Sequence, residues 1–132
     1  MQAEDLKLGE LIEFTDGRIS IHGRRLVLHD MHAFAQLRKD LVDVLGLESA
    51  GRIYTRFGYY WGHADAAAMV RIFRWDQVRD LLLAGPRLHT LQGVVKASVS
   101  SLDSDPTTGY FRMAVTWRES GEAEEHMTTL GQ

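Results

Sequence analysis

The period of the apolar residues changes along the chain, and each change marks a different kind of element. Residues 11–29 contain short apolar runs separated by the dipeptides Asp16-Gly17 and His22-Gly23. Asp-Gly between two apolar runs is a strong signal for a tight hairpin turn. The pattern therefore predicts a small antiparallel hairpin or meander at this end of the chain.

The next segment has apolar residues at helical spacing and a clear cap at each end. Asp30 is a predicted N-cap and Gly46 a predicted C-terminal stop for a helix over about 31–45. Apolar and polar positions separate onto different faces of this helix. The residues predicted to form its apolar face are Phe34, Leu37, Leu41, Val44 and Leu45.

Further helices are predicted between this helix and a Gly-Pro pair. One begins near Glu48 and has Gly62 near its end, and helical segments then continue over 63–84. Gly85-Pro86 is expected to end the stretch, because proline cannot continue a helix and restricts the residue before it.

Two strands are predicted after the helices, over 93–102 and 110–118, with turn-forming residues between them. The second strand alternates strictly, so that Phe111, Met113, Val115 and Trp117 share one face. The fold class is therefore α+β, with N-terminal short antiparallel strands, central helices and a C-terminal antiparallel strand pair. We divide the chain into an N-terminal tail (1–10), one domain (11–120) and a second tail (121–132).

Composition excludes several classes of function. The 132 residues are 45% hydrophobic and carry a net charge of −3, which is typical of a globular domain and lacks the basic surface that nucleic acids require. No apolar run is long enough to span a bilayer, and the N-terminus does not resemble a secretory signal. The chain has no cysteine. We expect no direct nucleic-acid or membrane partner and a cytoplasmic location.

The segment from Gly85 to Gly93 and the later Trp117 are the best candidates for binding chemistry. His89 and Trp117 place an imidazole and an indole, both with polar tips, among apolar residues. Such a pair suits a small aromatic molecule that is held by its ring and oriented by one hydrogen bond. The alternative is structural, with His89 bonded to backbone and Trp117 packed in the core.

Signals for an enzyme or a metal site are close to absent. The sequence has no phosphate-binding loop, no dinucleotide fingerprint and no nucleophile elbow. His29 and His32 lie three positions apart, but a metal site needs three or four convergent ligands. A small enzyme that uses His89 as a general base is therefore the weakest hypothesis.

Several blocks of sequence resemble the N-terminal sensor domain of the XylR-type activators of aromatic catabolism, and the phenol-sensing branch is the most similar. The most specific block runs from Gly85 to Lys96 and contains Gly-Pro-Arg-Leu-His-Thr-Leu-Gln-Gly. The other matching blocks are Gly17-Arg18-Ile19, Arg25-Leu26, Leu37 to Leu41, Leu45-Gly46, Arg56 to Tyr59, Gly109-Tyr110-Phe111 and Trp117. Together they extend over about four fifths of the chain.

The resemblance implies a sensor module of a sigma-54-dependent, NtrC-class transcriptional regulator. In that family an aromatic effector relieves the repression of an AAA+ ATPase domain. The resemblance implies that His89 and Trp117 bond the hydroxyl of a phenol, and that Leu82, Leu91 and Val115 form apolar walls. The family also has a second, vinyl-reductase-like lobe with a zinc site, which would begin where this sequence ends; the chain is either a piece of a longer protein or a shortened relative. Zinc would belong to that lobe and ATP to the AAA+ domain, so no cofactor is expected in these residues.

An interaction module is the alternative function. A half-interface exposed where a second lobe normally packs would favour a homodimer. In this alternative the pocket is filled by side chains and no small molecule binds.

Overall fold

The structure is a computed structural model and describes residues 1–131, and it confirms the α+β fold class. The chain begins with a short 3-10 helix at Ala3–Asp5. The elements that follow are α1 (Leu8–Leu11), β1 (Ile12–Thr15), β2 (Arg18–Ile21), β3 (Arg24–Leu26), α2 (Met31–Leu45), α3 (Leu47–Ile72), α4 (Val78–Leu91), β4 (Lys96–Asp105), β5 (Tyr110–Arg118) and α5 (Gly121–Leu130). Of the described residues, no helix combines the length and apolar character needed to cross a membrane.

The N-terminal strands form the predicted meander. They are antiparallel in the order β1-β2-β3, and Ile19 of β2 lies opposite Phe14 on one side and Leu26 on the other. His22 and Gly23, which connect β2 to β3, have φ angles of 48° and 76°. Two successive positive φ angles define a turn whose twist matches that of the flanking strands. This dipeptide therefore sets the register of the second hairpin.

Helix α2 has the predicted boundaries because both of its ends are specified locally. The Asp30 carboxylate accepts a hydrogen bond from the backbone N–H of Ala33 at 3.0 Å. Gly46 ends the helix with a φ of 77°, a conformation that favours glycine. The predicted apolar face is less buried than expected, since Leu37 and Val44 remain 51% and 79% exposed.

Replacing Asp30 with alanine is expected to lower the free energy of unfolding by about 1 kcal/mol, because the first-turn N–H of Ala33 loses its acceptor. Urea denaturation followed by circular dichroism measures the change. Asp40→Ala, at an exposed position inside the same helix, is the matched control and should be neutral or slightly stabilising. Equal losses in both variants would contradict the capping role.

Helix α3 corrects the prediction of separate helices on either side of Gly62. It is continuous for 26 residues. A glycine stops a helix efficiently when it adopts a positive φ, and neither Gly58 nor Gly62 does so. Burial of Ala68 and Met69 in the next turns stabilises the continuation.

Helix α4 corrects a second prediction, because it runs through Pro86 to Leu91. Proline removes one backbone hydrogen bond, but Ala84 and Leu88 on either side of it are 0% and 1% exposed. Gly85 also lacks the Cβ that contributes to the clash with a following proline ring. The free energy of core packing therefore outweighs the loss of the hydrogen bond at Pro86, and Gly85 reduces the steric clash with the proline ring.

The C-terminal hairpin and the core complete the domain. Strands β4 and β5 are antiparallel, with an irregularity in register between Val99 and Ser101. Strand β4 (Lys96–Asp105) starts and ends three residues later than the strand predicted over 93–102. The buried core joins the N-terminal segment to helices α3 and α4 and consists of Leu6, Leu11, Ile21, Ala68, Met69, Ala84 and Leu88.

Both segments predicted as tails are folded, the second as far as residue 131. Leu6 is 1% exposed, and its carbonyl oxygen accepts a hydrogen bond from the Arg87 guanidinium of α4 at 3.2 Å. At the other end, α5 packs against α2, where the His32 imidazole lies 3.1 Å from the Glu125 carboxylate. The segments outside 11–120 therefore contribute contacts to this domain.

Candidate functional site

The last turn of α4, which carries His89, lies beside the β4–β5 hairpin that carries Trp117. The hydroxyl oxygen of Thr90 accepts a hydrogen bond from the backbone N–H of Ala97 at 3.0 Å. Ala97 lies directly opposite Trp117 in the β4–β5 register. One hydrogen bond and one strand pair therefore connect the segment of His89 to that of Trp117.

His89 is half-buried and projects from α4 beside α3. Its ring centroid lies 6.4 Å from that of Trp61, with the two planes at 47°. Among residues 1–131, the His89 imidazole has no hydrogen-bond partner on the protein, whereas its backbone carbonyl accepts from Val94 at 3.0 Å. A partly buried imidazole without a protein partner is free to bond a ligand.

The other predicted ligand residues have different environments. Trp117 is 67% exposed, while Leu82, Leu91 and Val115 are half-buried. At 3.6 residues per turn, Leu82 shares a helix face with His89, whereas Leu91 points about 200° away from His89. As ligand contacts, the five residues stay a prediction.

An apolar cleft lies at the C-terminal end of α4, on the side of the helix that carries Leu91. Its volume is about 380 Å³, and its walls come from the N-terminal sheet, α2, α3 and the end of α4. Leu91 lines this cleft, and the other four predicted ligand residues do not. The residues that line it include Ile12, Ile19, Leu26, Phe34, Phe57, Trp61, Leu91 and Gln92.

Sequence reasoning missed this cleft because its walls are assembled from distant segments. Phe57 and Trp61 are four residues apart on α3, a spacing that places two side chains on one face of a helix. Gln92 lies inside the most specific sequence block, but nothing local shows that its side chain reaches a cleft. Spacing on one helix does not reveal which sheet packs opposite it.

A buried polar network supports the cleft at Gln92. Asp65 is 8% exposed, and its carboxylate accepts hydrogen bonds from Arg24 Nη1 at 2.6 Å and from Gln92 Nε2 at 3.3 Å. A carboxylate oxygen can only accept, so the amide nitrogen of Gln92 faces Asp65 and its oxygen faces away. Among the described residues, Gln92 Oε1 is buried without a protein partner.

The side chains with shifted pKa values lie away from the cleft. Burial raises the pKa of the Tyr54 hydroxyl, which the nearby Arg38 charge partly opposes. A hydrogen bond to Asp43 raises the pKa of Lys39, and hydrogen bonds from Thr107 lower the pKa of Asp105. None of these three titrating groups lines the cleft. Within residues 1–131, no group of three or more metal-binding side chains converges.

The order of the elements and the sequence both match a known family. The family described as "Activator of aromatic catabolism", the XylR N-terminal family, matches residues 7–105. The chain therefore belongs to this family, as the sequence resemblance predicted.

Individual relatives give the same assignment. The chain is 29% identical to the transcriptional regulatory protein XylR of Pseudomonas putida, over 99% of this chain and 24% of that protein. It is 31% identical to the phenol regulator MopR of Acinetobacter guillouiae, over 87% of this chain and 20% of that protein. The chain thus spans about a quarter or less of the length of these two relatives.

A solved structure extends the similarity to the fold. It is the phenol-responsive sensory domain of the transcription activator PoxR, crystallised with phenol. The TM-score is 0.88 at 30% sequence identity, and the match covers 94% of this chain and 63% of that one. A TM-score of this size at this identity supports a common fold over almost all of this chain.

Proposed function

We propose that this chain is the effector-sensing domain of a sigma-54-dependent transcription activator and binds a small aromatic compound such as a phenol. Its relatives include a phenol regulator and a phenol-responsive sensory domain. The α+β fold and the family membership support the transfer of that role to this chain. Function is nevertheless a property of a site, so the proposal also needs a group that could bind the effector.

The His89 imidazole is the observation that carries the proposal. It is half-buried beside the Trp61 ring and has no protein hydrogen-bond partner within residues 1–131. A phenol hydroxyl can donate to or accept from such a ring, depending on the tautomer. Trp117 would add an indole N–H donor from β5. Leu82, on the same helix face as His89, and Val115 would supply apolar contacts.

The signalling output of the domain is also part of the proposal. Effector binding would relieve the repression of an AAA+ ATPase domain in a cytoplasmic regulator, and the domain would act on DNA through that regulator rather than directly. We infer that the chain binds its ligand without transforming it. Zinc would be held by a second lobe and not by the residues described here.

Phenol binding to the chain is expected to weaken about threefold to tenfold when His89 or Trp117 is replaced by alanine, since each change removes one hydrogen bond to a neutral ligand. Isothermal titration calorimetry measures the affinity, with toluene as a ligand that lacks the hydroxyl. His63→Ala is the matched control, because His63 is exposed and stacks on Tyr59. Unchanged phenol affinity in both site variants would refute the assignment of these residues.

A dimerisation module is the second candidate, because the N-terminal segment exposes large apolar side chains. Phe14, Val27 and Leu28 are 67%, 66% and 79% exposed. If this is the function, light scattering at micromolar concentration will give a dimer and calorimetry will detect no aromatic binding. A monomer that binds phenol would exclude it.

A further inference from the structure

A second cleft, with two arginines in its walls, lies between α4, β4 and the first residues of the chain. Its volume is about 340 Å³. Helix α4 contributes Arg79 and Arg87, and β4 contributes Ser100 and Ser101. None of the five predicted effector contacts lines this arginine cleft, and it shares no residue with the apolar cleft. At 3.6 residues per turn Arg87 points about 200° away from His89, so the cleft and the predicted effector site lie on different sides of α4.

Both arginine side chains are held in place by a hydrogen bond to a backbone carbonyl. Arg79 Nη1 donates to the carbonyl oxygen of Leu102 at 2.9 Å, and Arg87 Nη2 donates to that of Leu6 at 3.2 Å. Each bond joins α4 to one of the other two walls, which restricts the position of the guanidinium group. A guanidinium has five N–H donors, so each group keeps several for a ligand.

The positive charge of these two groups is not neutralised by the protein around them. Within residues 1–131, neither arginine takes part in an ion pair, although Glu4 also lines the cleft. The lining residues therefore carry two positive charges and one negative charge, in a chain whose net charge is −3.

A ligand can reach donors on both arginines. Arg79 is exposed. Arg87 is half-buried, and its Nε is closed to solvent, whereas Nη1 remains open and has no partner among the described residues. The donors available to a ligand are therefore the free N–H groups of Arg79 and the Nη1 group of Arg87.

An irregularity in β4 brings polar groups to the same cleft. The register of β4 with β5 shifts between Val99 and Ser101, and Ser100 has no residue opposite it. Successive residues of a regular strand point to opposite faces, yet all three of these residues line the cleft. A β-bulge redirects side chains in this way and is common beside functional sites. The bulge thus places two exposed serines near the arginines.

We propose that the arginine cleft binds a small oxyanion, a phosphate or carboxylate group, through the free N–H donors of Arg79 and Arg87. The planar guanidinium matches the spacing of two oxygens on either group. Such a ligand differs in charge from a neutral aromatic effector. The proposal therefore goes beyond effector sensing and does not depend on it.

Inorganic phosphate and succinate are the probes, because neither has a ring that could occupy an aromatic site. Titration at constant ionic strength is expected to shift the amide resonances of Ser100 and Ser101 with saturation. Arg79→Met should weaken binding about tenfold, as expected when a hydrogen bond between charged groups is lost. Arg52→Met is the matched control, because Arg52 is exposed, pairs with Glu48 and does not line the cleft.

Glu4 gives a test in the opposite direction. Its carboxylate repels an anion, so Glu4→Gln should strengthen binding about twofold to fivefold. Arg79 and Glu4 are both exposed, so neither substitution removes a buried contact.

The two probes also identify the group that binds. Saturation by phosphate alone indicates a phosphorylated ligand, and saturation by succinate alone indicates a carboxylic acid. If neither probe saturates, or if Arg79→Met and Arg52→Met bind equally well, the proposal is wrong.

His89→Ala separates this proposal from the effector site. The variant should retain anion affinity within about twofold, since His89 lies outside the arginine cleft. Loss of anion binding in His89→Ala would place the anion at the imidazole and overturn the proposal. Phenol binding is measured independently, so either proposal can fail while the other stands.

Discussion

Truncating Leu88 to alanine is expected to lower the free energy of unfolding by about 2–5 kcal/mol. Leu88 is 1% exposed and is one of the largest fully buried side chains of the domain. It packs in the cluster that joins α4 to Leu6, Ile21 and Met69. The loss combines the transfer free energy of the removed atoms with the energy of the cavity left behind. Urea denaturation followed by tryptophan fluorescence measures it.

Leu47→Ala is the matched control for this substitution. Leu47 lies at the start of α3 and is 77% exposed, so its truncation should change the free energy of unfolding by less than about 0.5 kcal/mol. A difference of less than about 1 kcal/mol between the two variants would contradict the assignment of Leu88 to the core. It would also weaken the argument that packing around Pro86 stabilises α4.

Replacing Asp65 with alanine is expected to lower the free energy of unfolding by about 2–3 kcal/mol. Removing one partner of a buried ion pair typically costs about 3–5 kcal/mol, because the remaining charge is left uncompensated. We reduce this figure since the Arg24 side chain is 28% exposed and can be partly solvated. The Gln92 amide loses its acceptor at the same time. Urea denaturation gives the free energy.

Two further variants separate the ion pair from other effects of the Asp65 substitution. The double variant Arg24→Met with Asp65→Leu removes both charges and should recover much of the loss, because an apolar pair can replace a buried ion pair. Glu48→Ala breaks the exposed pair with Arg52, and its effect should stay below about 1 kcal/mol. If Asp65→Ala behaves like Glu48→Ala, the pair does not stabilise the fold.

The amino-acid sequence by itself determined the elements whose ends are specified locally. Asp30 and Gly46 set the boundaries of α2, since one caps the first N–H groups and the other ends the helix with a positive φ. Strict alternation predicted the bounds of β5. The specific block around His89 identified the family, which a match over residues 7–105 then confirmed.

Tertiary structure decided the features that depend on what packs opposite a segment. Gly62 and Pro86 have helix-breaking signals, yet both lie inside helices because burial of Met69 and Leu88 outweighs a local penalty. The cleft likewise joins Ile19, Trp61 and Gln92, which are far apart in sequence. Local spacing determines which residues share a face of one element, whereas the free energy of burial depends on the face that another element presents to it.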